Sequence, residues 1–176
     1  ENVKEAVLDG RLAGNGDFTK KCQAFFSSRY GFKKCLLTTS CTDALEMCAI
    51  LLDIKPGDEV IIPTPSWLSY PEMVQTTGAT SVFLETKSKD DFCIDPKALE
   101  AAITPKTKLL ILNSPSNPIG NIYPEQVLRE IADLVVKHNI LVISDEMYEK
   151  LVYKKEFPHY SIASFNDEIY QRTITI

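Results

Sequence analysis

Short runs of consecutive apolar residues recur along the chain and predict buried strands. Residues 108–112 and 140–144 are unbroken runs, a pattern typical of strands that are covered on both faces. Further strand candidates lie at residues 34–38, 59–62, 80–84 and 173–176, and Pro63 is expected to end the second of these.

The segments between these runs carry apolar residues at helical spacing. Helices are predicted over residues 1–10, 18–30, 44–52, 70–77, 95–103 and 124–138. Strands that alternate with helices from residue 34 onward predict an α/β fold, with three α/β/α layers around a mostly parallel sheet. We predict an N-terminal helical segment at residues 1–33 and one larger domain at residues 34–176.

Polar side chains follow two of the predicted strands at the point where each strand ends. Asn117 lies in the loop after residues 108–112, and Asp145 and Tyr148 follow residues 140–144. In an open parallel sheet the carboxyl ends of the strands form a common rim, where ligands bind. The three side chains are therefore expected at one rim, although Asn117 and Asp145 could equally cap the turns that follow them.

Two earlier loops add candidate binding groups. Ser40, Cys41 and Thr42 stand at the start of a predicted helix, where N–H groups and the helix dipole favour a phosphate. Ser40 and Asp43 also fit a capping box, which is the purely structural alternative. Trp67 follows a strand end and either covers the core or forms a flat wall for a planar ligand.

Composition excludes several function classes. The net charge of −5, without a basic stripe, argues against a nucleic-acid partner. No apolar run approaches the roughly 20 residues that span a bilayer. Five cysteines without a CxxC pair and only two histidines indicate no metal site, and they favour reduced thiols in a cytoplasmic protein.

The candidate groups together suit one kind of ligand, a flat, phosphorylated, nitrogen-containing ring. A carboxylate such as Asp145 keeps a pyridine nitrogen protonated, and the cationic ring then accepts negative charge from a substrate carbon. An amide and a phenol, here Asn117 and Tyr148, would hold a ring oxygen as phenolate. Pyridoxal 5'-phosphate needs all of these groups and is the predicted cofactor.

From about residue 56 to residue 176 the chain resembles class I aminotransferases of the aspartate aminotransferase type. The matching segments are residues 56–60, 63–73, 113–120 and 143–152. The resemblance implies part of the large domain of the PLP-transferase fold type I, and amino-group transfer between an amino acid and a 2-oxo acid. It also implies a tendency to form homodimers.

The same resemblance implies a role for each candidate at the rim. Trp67 would stack on the cofactor ring, and Asp145 would pair with the pyridine nitrogen. Asn117 and Tyr148 would both bond the 3'-oxygen of the ring.

The first third of the chain resembles a different group. Over about residues 11–63, the segments 12–21 and 36–47 are similar to nucleotide-sugar aminotransferases of the DegT type. The Ser-Cys-Thr segment at residues 40–42 is similar to the phosphate-binding helix start of those enzymes. The two resemblances predict a composite or designed chimera, with a single divergent lineage as the alternative.

The resemblance also implies a group that this sequence lacks. Class I enzymes hold the cofactor as a Schiff base on a Lys in a Ser-Lys motif that follows a strand resembling residues 173–176, where this sequence ends. Lys150, Lys154 and Lys155 come too soon after Asp145. We therefore expect truncation before the catalytic lysine, no catalytic residue in this chain, and at most weak, non-covalent cofactor binding.

Two other interpretations stay open at this point. Another fold type I enzyme, such as a sugar aminotransferase or a lyase, would use the same scaffold. A non-catalytic or designed α/β scaffold would keep the layers for folding alone. A plain nucleotide-binding Rossmann domain is disfavoured, because no strand runs into a Gly-rich turn.

Overall fold

The computed structural model describes residues 1–10, 14–32, 34–153 and 158–176, and it divides into two compact units. The first unit, residues 1–40, contains helices α1 (Asn2–Leu8) and α2 (Asp17–Tyr30). Gly31 ends α2 in the left-handed region, and its N–H donates to the carbonyl of Ser27, as expected for a C-terminal glycine cap. This division after residue 40 does not test the predicted boundary after residue 33, which stays a prediction.

The predicted strand over residues 34–38 is wrong. These residues adopt no strand, and Leu36 and Leu37 are largely exposed. An apolar run becomes a strand only where a neighbouring strand supplies hydrogen bonds, and the sheet of the described residues lies wholly within the second unit.

The second unit, residues 41–176, is built on a parallel sheet with the strand order β2-β1-β3-β4-β5. Its strands are β1 (Glu59–Thr64), β2 (Thr80–Glu85), β3 (Thr107–Asn113), β4 (Leu141–Asp145) and β5 (Thr173–Thr175). Its helices are α3 (Cys41–Leu51), α4 (Ser69–Thr76), α5 (Pro96–Ala102), α6 (Glu125–His138) and α7 (Asp167–Tyr170).

The helices cover the sheet on both faces, so the predicted three-layer α/β/α arrangement is confirmed. Side chains of α3 and α4 share one core cluster with Val60, Leu109 and Ile143. Side chains of α5, α6 and α7 share the other with Leu110 and Val142. Consecutive strand residues thus enter opposite cores, as the two-residue period of a strand requires.

Successive strands are added to one side of β1 and then to the other, so a switch point lies between β1 and β3 in the interior of the sheet. From β1 the chain moves outward to β2, and it then crosses back to β3, β4 and β5 in turn. Ligands of open α/β sheets bind at such a switch point, outside the carboxyl ends of the strands. The helices of the described residues include none that is long and apolar enough to cross a membrane.

Gly78, which follows α4, is a position where side chains are excluded. Its φ is +76°, and a Cβ placed there would lie 2.7 Å from Cγ of Pro56. Gly57 also has a positive φ of +97°, but nothing lies within 4 Å of its Cβ position. We expect Gly57→Ala to lower the free energy of unfolding by about 1 kcal/mol through backbone strain, and Gly78→Ala by about 2–3 kcal/mol. Equal losses in urea unfolding would contradict the contact with Pro56.

Candidate functional site

Asp145, the last residue of β4, is a buried carboxylate at the carboxyl rim of the sheet. Only 5% of its surface is exposed. The Tyr70 hydroxyl donates to Oδ2 at 2.6 Å, and the Met147 N–H donates to Oδ1 at 3.2 Å. Each oxygen of an ionised carboxylate accepts about two hydrogen bonds. The carboxylate is therefore oriented by the protein and still able to accept a further donor.

Tyr70 lies in α4 and joins that helix to the strand end. Burial, first, and then the charge and hydrogen bond of Asp145 raise the pKa of the Tyr70 phenol above its ordinary value. The phenol therefore stays protonated and acts as a donor. Sequence reasoning missed Tyr70, because nothing in the local sequence shows that this helix residue reaches the end of β4.

Asn113 fixes the backbone of Asp145 from the neighbouring strand. Its Nδ2 donates to the carbonyl of Asp145 at 2.9 Å, and its Oδ1 accepts the N–H of Asn117 at 2.7 Å. The N–H of Ser114 donates to the same carbonyl at 3.1 Å. Asn113 was also missed by the sequence analysis, and only its register opposite Asp145 reveals its role.

Asn117 and Tyr148 come together above this rim. Nδ2 of Asn117 lies 3.5 Å from the hydroxyl oxygen of Tyr148, at the outer limit of a hydrogen bond. An amide N–H and a phenol O–H side by side can both donate to one external oxygen. The two predicted residues thus lie within hydrogen-bonding distance of each other, and their role in a cofactor site stays a prediction.

Trp67 contacts this group through Tyr70. The two rings meet edge to face, with centroids 5.5 Å apart and an interplanar angle of 88°. Trp67 also packs against the core cluster on the α3 and α4 face of the sheet. The indole therefore covers part of the core, which is one of the two alternatives that the sequence left open. It also contacts Tyr70, the residue that donates a hydrogen bond to Asp145.

Cys41 and Thr42 are the first two residues of α3. Burial, first, and then the Asp145 charge raise the pKa of the Cys41 thiol. Cys41 also packs against the core cluster that contains Tyr70 and Ile143, so the start of α3 lies on the same face of the sheet as Tyr70. The first N–H groups of a helix have no partner within the helix and favour an anion. Ser40 ends the first unit, where its carbonyl accepts from Thr38 Oγ1 at 2.8 Å. Its place in a phosphate site stays a prediction.

A solvent-open hollow of about 380 Å³ lies at the same rim, between the loops that follow β1, β2 and β3. Tyr70, Asn113 and Asn117 line one side of it. Of the residues predicted to bind the cofactor, Asn117 lines this hollow, whereas Trp67, Asp145 and Tyr148 are not among its lining residues. No group of three or more metal-ligating side chains occurs in the described ranges.

Comparison with known proteins gives consistent matches over the chain. The family model for aminotransferase class I and II matches residues 10–175. A bifunctional aspartate aminotransferase and glutamate/aspartate-prephenate aminotransferase of Petunia hybrida is 49% identical over 129 residues, which cover 73% of this chain and 26% of that protein. The aspartate aminotransferase of Bacillus subtilis is 46% identical, over 72% of this chain and 32% of its own.

The solved structures agree with the sequence matches. The aspartate aminotransferase of Thermus thermophilus with maleate superposes with a TM-score of 0.79 and 34% identity, over 98% of this chain and 46% of that chain. The chain thus spans less than half the length of these relatives. The family match from residue 10 includes the DegT-like stretch, so one family model accounts for both stretches. A composite origin stays a prediction.

Proposed function

The chain belongs to the aminotransferase class I and II family, and on this basis we propose that residues 34–176 are the cofactor-binding part of its large domain. The whole enzyme would transfer an amino group between an amino acid and a 2-oxo acid. The family is dependent on pyridoxal 5'-phosphate. The observation that carries the proposal is the buried Asp145 at a strand end that Asn113 joins to Asn117, which in turn contacts Tyr148.

The donor set at the rim fits this cofactor. A protonated ring nitrogen needs a carboxylate acceptor in a place where water is scarce, and the Asp145 side chain is a buried carboxyl group. A ring oxygen that carries negative charge needs donors, and Asn117 and Tyr148 supply an N–H and an O–H together. A phosphate is favoured by the N–H groups and the dipole of a helix start, and Cys41 and Thr42 stand at the start of α3.

Each residue has a role within the proposal. Asp145 would keep the ring nitrogen protonated, and Tyr70 orients that carboxylate. Asn117 and Tyr148 would hold the ring oxygen, and Trp67 would stack on the ring. When bound, the cationic ring supplies a sink for negative charge that develops on a substrate carbon.

The lysine that anchors the cofactor is proposed to lie outside this sequence. Lys150 is exposed, and its ammonium nitrogen lies 2.9 Å from the Glu149 carboxylate, which supports the prediction that it does not serve this purpose. Lys154 and Lys155 lie outside the described residues. We therefore propose that this chain alone binds the cofactor non-covalently.

Two further points of the proposal concern the cellular compartment and the oligomeric state. All five cysteines are unpaired in the structure, which supports a reducing, cytoplasmic compartment. The homodimer is carried over from the family resemblance.

Titration of the full chain with pyridoxine 5'-phosphate tests the proposal, because this analogue has no aldehyde and cannot react with surface lysines. Saturable binding is expected, with competition by inorganic phosphate. Asn117→Ala should weaken the affinity about tenfold or more, since a hydrogen bond to a charged oxygen contributes about 1.5–3 kcal/mol.

Gln126→Ala removes an exposed amide on α6 and is the matched control, with unchanged affinity expected. Absence of saturable binding by a folded chain, or equal affinities of the two variants, would contradict the site.

A further inference from the structure

Ser144, Glu146 and His159 form a buried polar chain that the proposed cofactor contacts do not use. Ser144 Oγ donates to Glu146 Oε1 at 2.8 Å, and Glu146 Oε2 lies 2.8 Å from His159 Nε2. The side chains of Glu146 and His159 are only 8% and 12% exposed. A carboxylate is rarely buried to this extent unless both of its oxygens are satisfied.

The order of the three groups excludes a nucleophilic triad. In such a triad the imidazole takes the hydroxyl proton and the acid lies behind the imidazole. Here Glu146 lies between the Ser144 hydroxyl and His159, so the hydroxyl donates to the carboxylate and not to an imidazole nitrogen. Ser144 is also buried. These contacts therefore indicate that Ser144 orients the Glu146 carboxylate and does not act as a nucleophile.

The network lies behind Asp145, on the opposite face of β4. Ser144 shares its face with Val142, which enters the α5–α7 core, whereas Asp145 shares the face of Ile143 and meets Tyr70. The contacts of Glu146 thus support the strand end from the side that a ligand at Asp145 would not touch.

Glu146 is also the base of the turn that carries Tyr148. Its N–H donates to the carbonyl of Ile176 at 2.9 Å, and its own carbonyl accepts the N–H of Glu149 at 2.8 Å. The intervening N–H of Met147 donates to the Asp145 carboxylate. Any movement of Glu146 would therefore shift Asp145 and Tyr148 relative to each other.

His159 joins this turn to a segment that is anchored in the core. It stands shortly before the short 3-10 turn Ile162–Ser164, and Ile162 is buried in the core that α6 and α7 share. Glu146 is thus held on one oxygen by the strand and on the other by a segment that is anchored in the core.

We propose that Ser144, Glu146 and His159 are positioning residues that set the separation of the Asp145 carboxylate and the Tyr148 hydroxyl. The inference rests on the proposed function, in which those two groups hold the nitrogen and the oxygen of one rigid ring. Binding groups must be held within about 0.5 Å of their working geometry, and outer partners that orient them affect affinity strongly.

A single donor on His159 is sufficient for this role. A carboxylate oxygen accepts hydrogen bonds, so Nε2 is the donor in the contact with Glu146, while Nδ1 is buried without a hydrogen-bond partner among the described residues. The contact with the carboxylate therefore needs a proton on Nε2 alone. A glutamine amide N–H can replace that donor, whereas alanine cannot.

The test compares His159→Ala with His159→Gln in the full chain, again with pyridoxine 5'-phosphate. His159→Ala should weaken binding about tenfold, and His159→Gln should stay within about twofold of the wild type. Ile169→Val, at a fully buried site on α7, is the control for a general loss of packing. It should lower the melting temperature and leave the affinity unchanged.

Amide hydrogen exchange of the ligand-free chain supplies a readout that does not depend on binding. In His159→Ala the amides of Met147 and Glu149 should exchange faster, while those of Val142 and Ile143 keep their protection. His159→Gln should restore slow exchange in the turn.

The outcomes separate this inference from the proposed function. If the wild type binds, equal affinity of His159→Ala overturns the inference, as does an equal affinity loss in Ile169→Val. If the folded wild type does not bind, the proposed function fails and exchange decides the inference. Faster exchange confined to the turn then supports the positioning network, and unchanged exchange overturns it.

Discussion

Asp145→Ala is expected to weaken binding of pyridoxine 5'-phosphate roughly 100-fold or more, the largest effect of any single change at the rim. The substitution removes the only anion proposed to face the protonated ring nitrogen. Binding a cation in a buried site without its anionic partner costs several kcal/mol of binding free energy, and a single hydrogen bond to a charged group already contributes about 1.5–3 kcal/mol. Fluorescence titration of the full chain measures the loss.

The same variant should also destabilise the fold, because the buried Tyr70 hydroxyl loses its acceptor. An unsatisfied buried donor costs about 1–3 kcal/mol. Asp145→Asn separates the two effects, since the amide oxygen still accepts from Tyr70 but the neutral side chain does not hold a cation. We expect Asp145→Asn to keep most of the stability and to lose most of the affinity.

Asp133→Asn is the matched control for charge, because Asp133 is exposed on α6. It should change neither stability nor affinity appreciably. If Asp145→Asn binds as tightly as Asp133→Asn, the carboxylate does not hold the ring nitrogen and the proposed orientation of the cofactor is wrong.

The strand ends were predictable because their signals are local. The apolar runs at residues 108–112 and 140–144 match β3 and β4 within one residue, since a strand buried on both faces allows few polar residues. The parallel rim then brings together the residues that follow those runs. Asn117 and Tyr148 meet for this reason, although 31 residues separate them.

The failures come from contacts that local sequence does not encode. Residues 34–38 have the pattern of a strand, but none of the strands in the described part of the chain pairs with them. Pro63 was expected to end β1, yet the strand continues to Thr64. The pairing of β1 with β3 stops at Ile61, so the missing N–H of Pro63 breaks no ladder on that side.

The partners of Asp145 show the same limit within the site. Tyr70 reaches Asp145 across 75 residues of sequence, and Asn113 reaches it only through the register of β3 with β4. Sequence spacing indicates which groups lie at a rim, whereas the hydrogen bonds between them depend on how α4 packs on the sheet. Trp67 illustrates this, because both of its sequence interpretations agreed with the local pattern.

Leu110→Ala is expected to have the largest effect on stability, lowering the free energy of unfolding by about 2–5 kcal/mol. Leu110 is fully buried at the centre of β3. Its neighbours in register are Ile61 on β1 and Val142 on β4, and all three enter the core beneath α5, α6 and α7. A cavity there cannot collapse easily, because sheet neighbours on both sides are fixed by hydrogen bonds.

Urea unfolding of Leu110→Ala and Leu68→Ala compares the same substitution, leucine to alanine, at a buried and at an exposed position. Leu68, at the start of α4, is 85% exposed, so its truncation should change the free energy of unfolding by less than about 0.5 kcal/mol. Natural domains are stable by only about 5–15 kcal/mol, so the loss at Leu110 would remove a large part of the total. A loss below about 1 kcal/mol at Leu110 would mean that the helix layer does not pack tightly on β3. The rim would then lack the rigid support that the separation of Asp145 and Tyr148 requires.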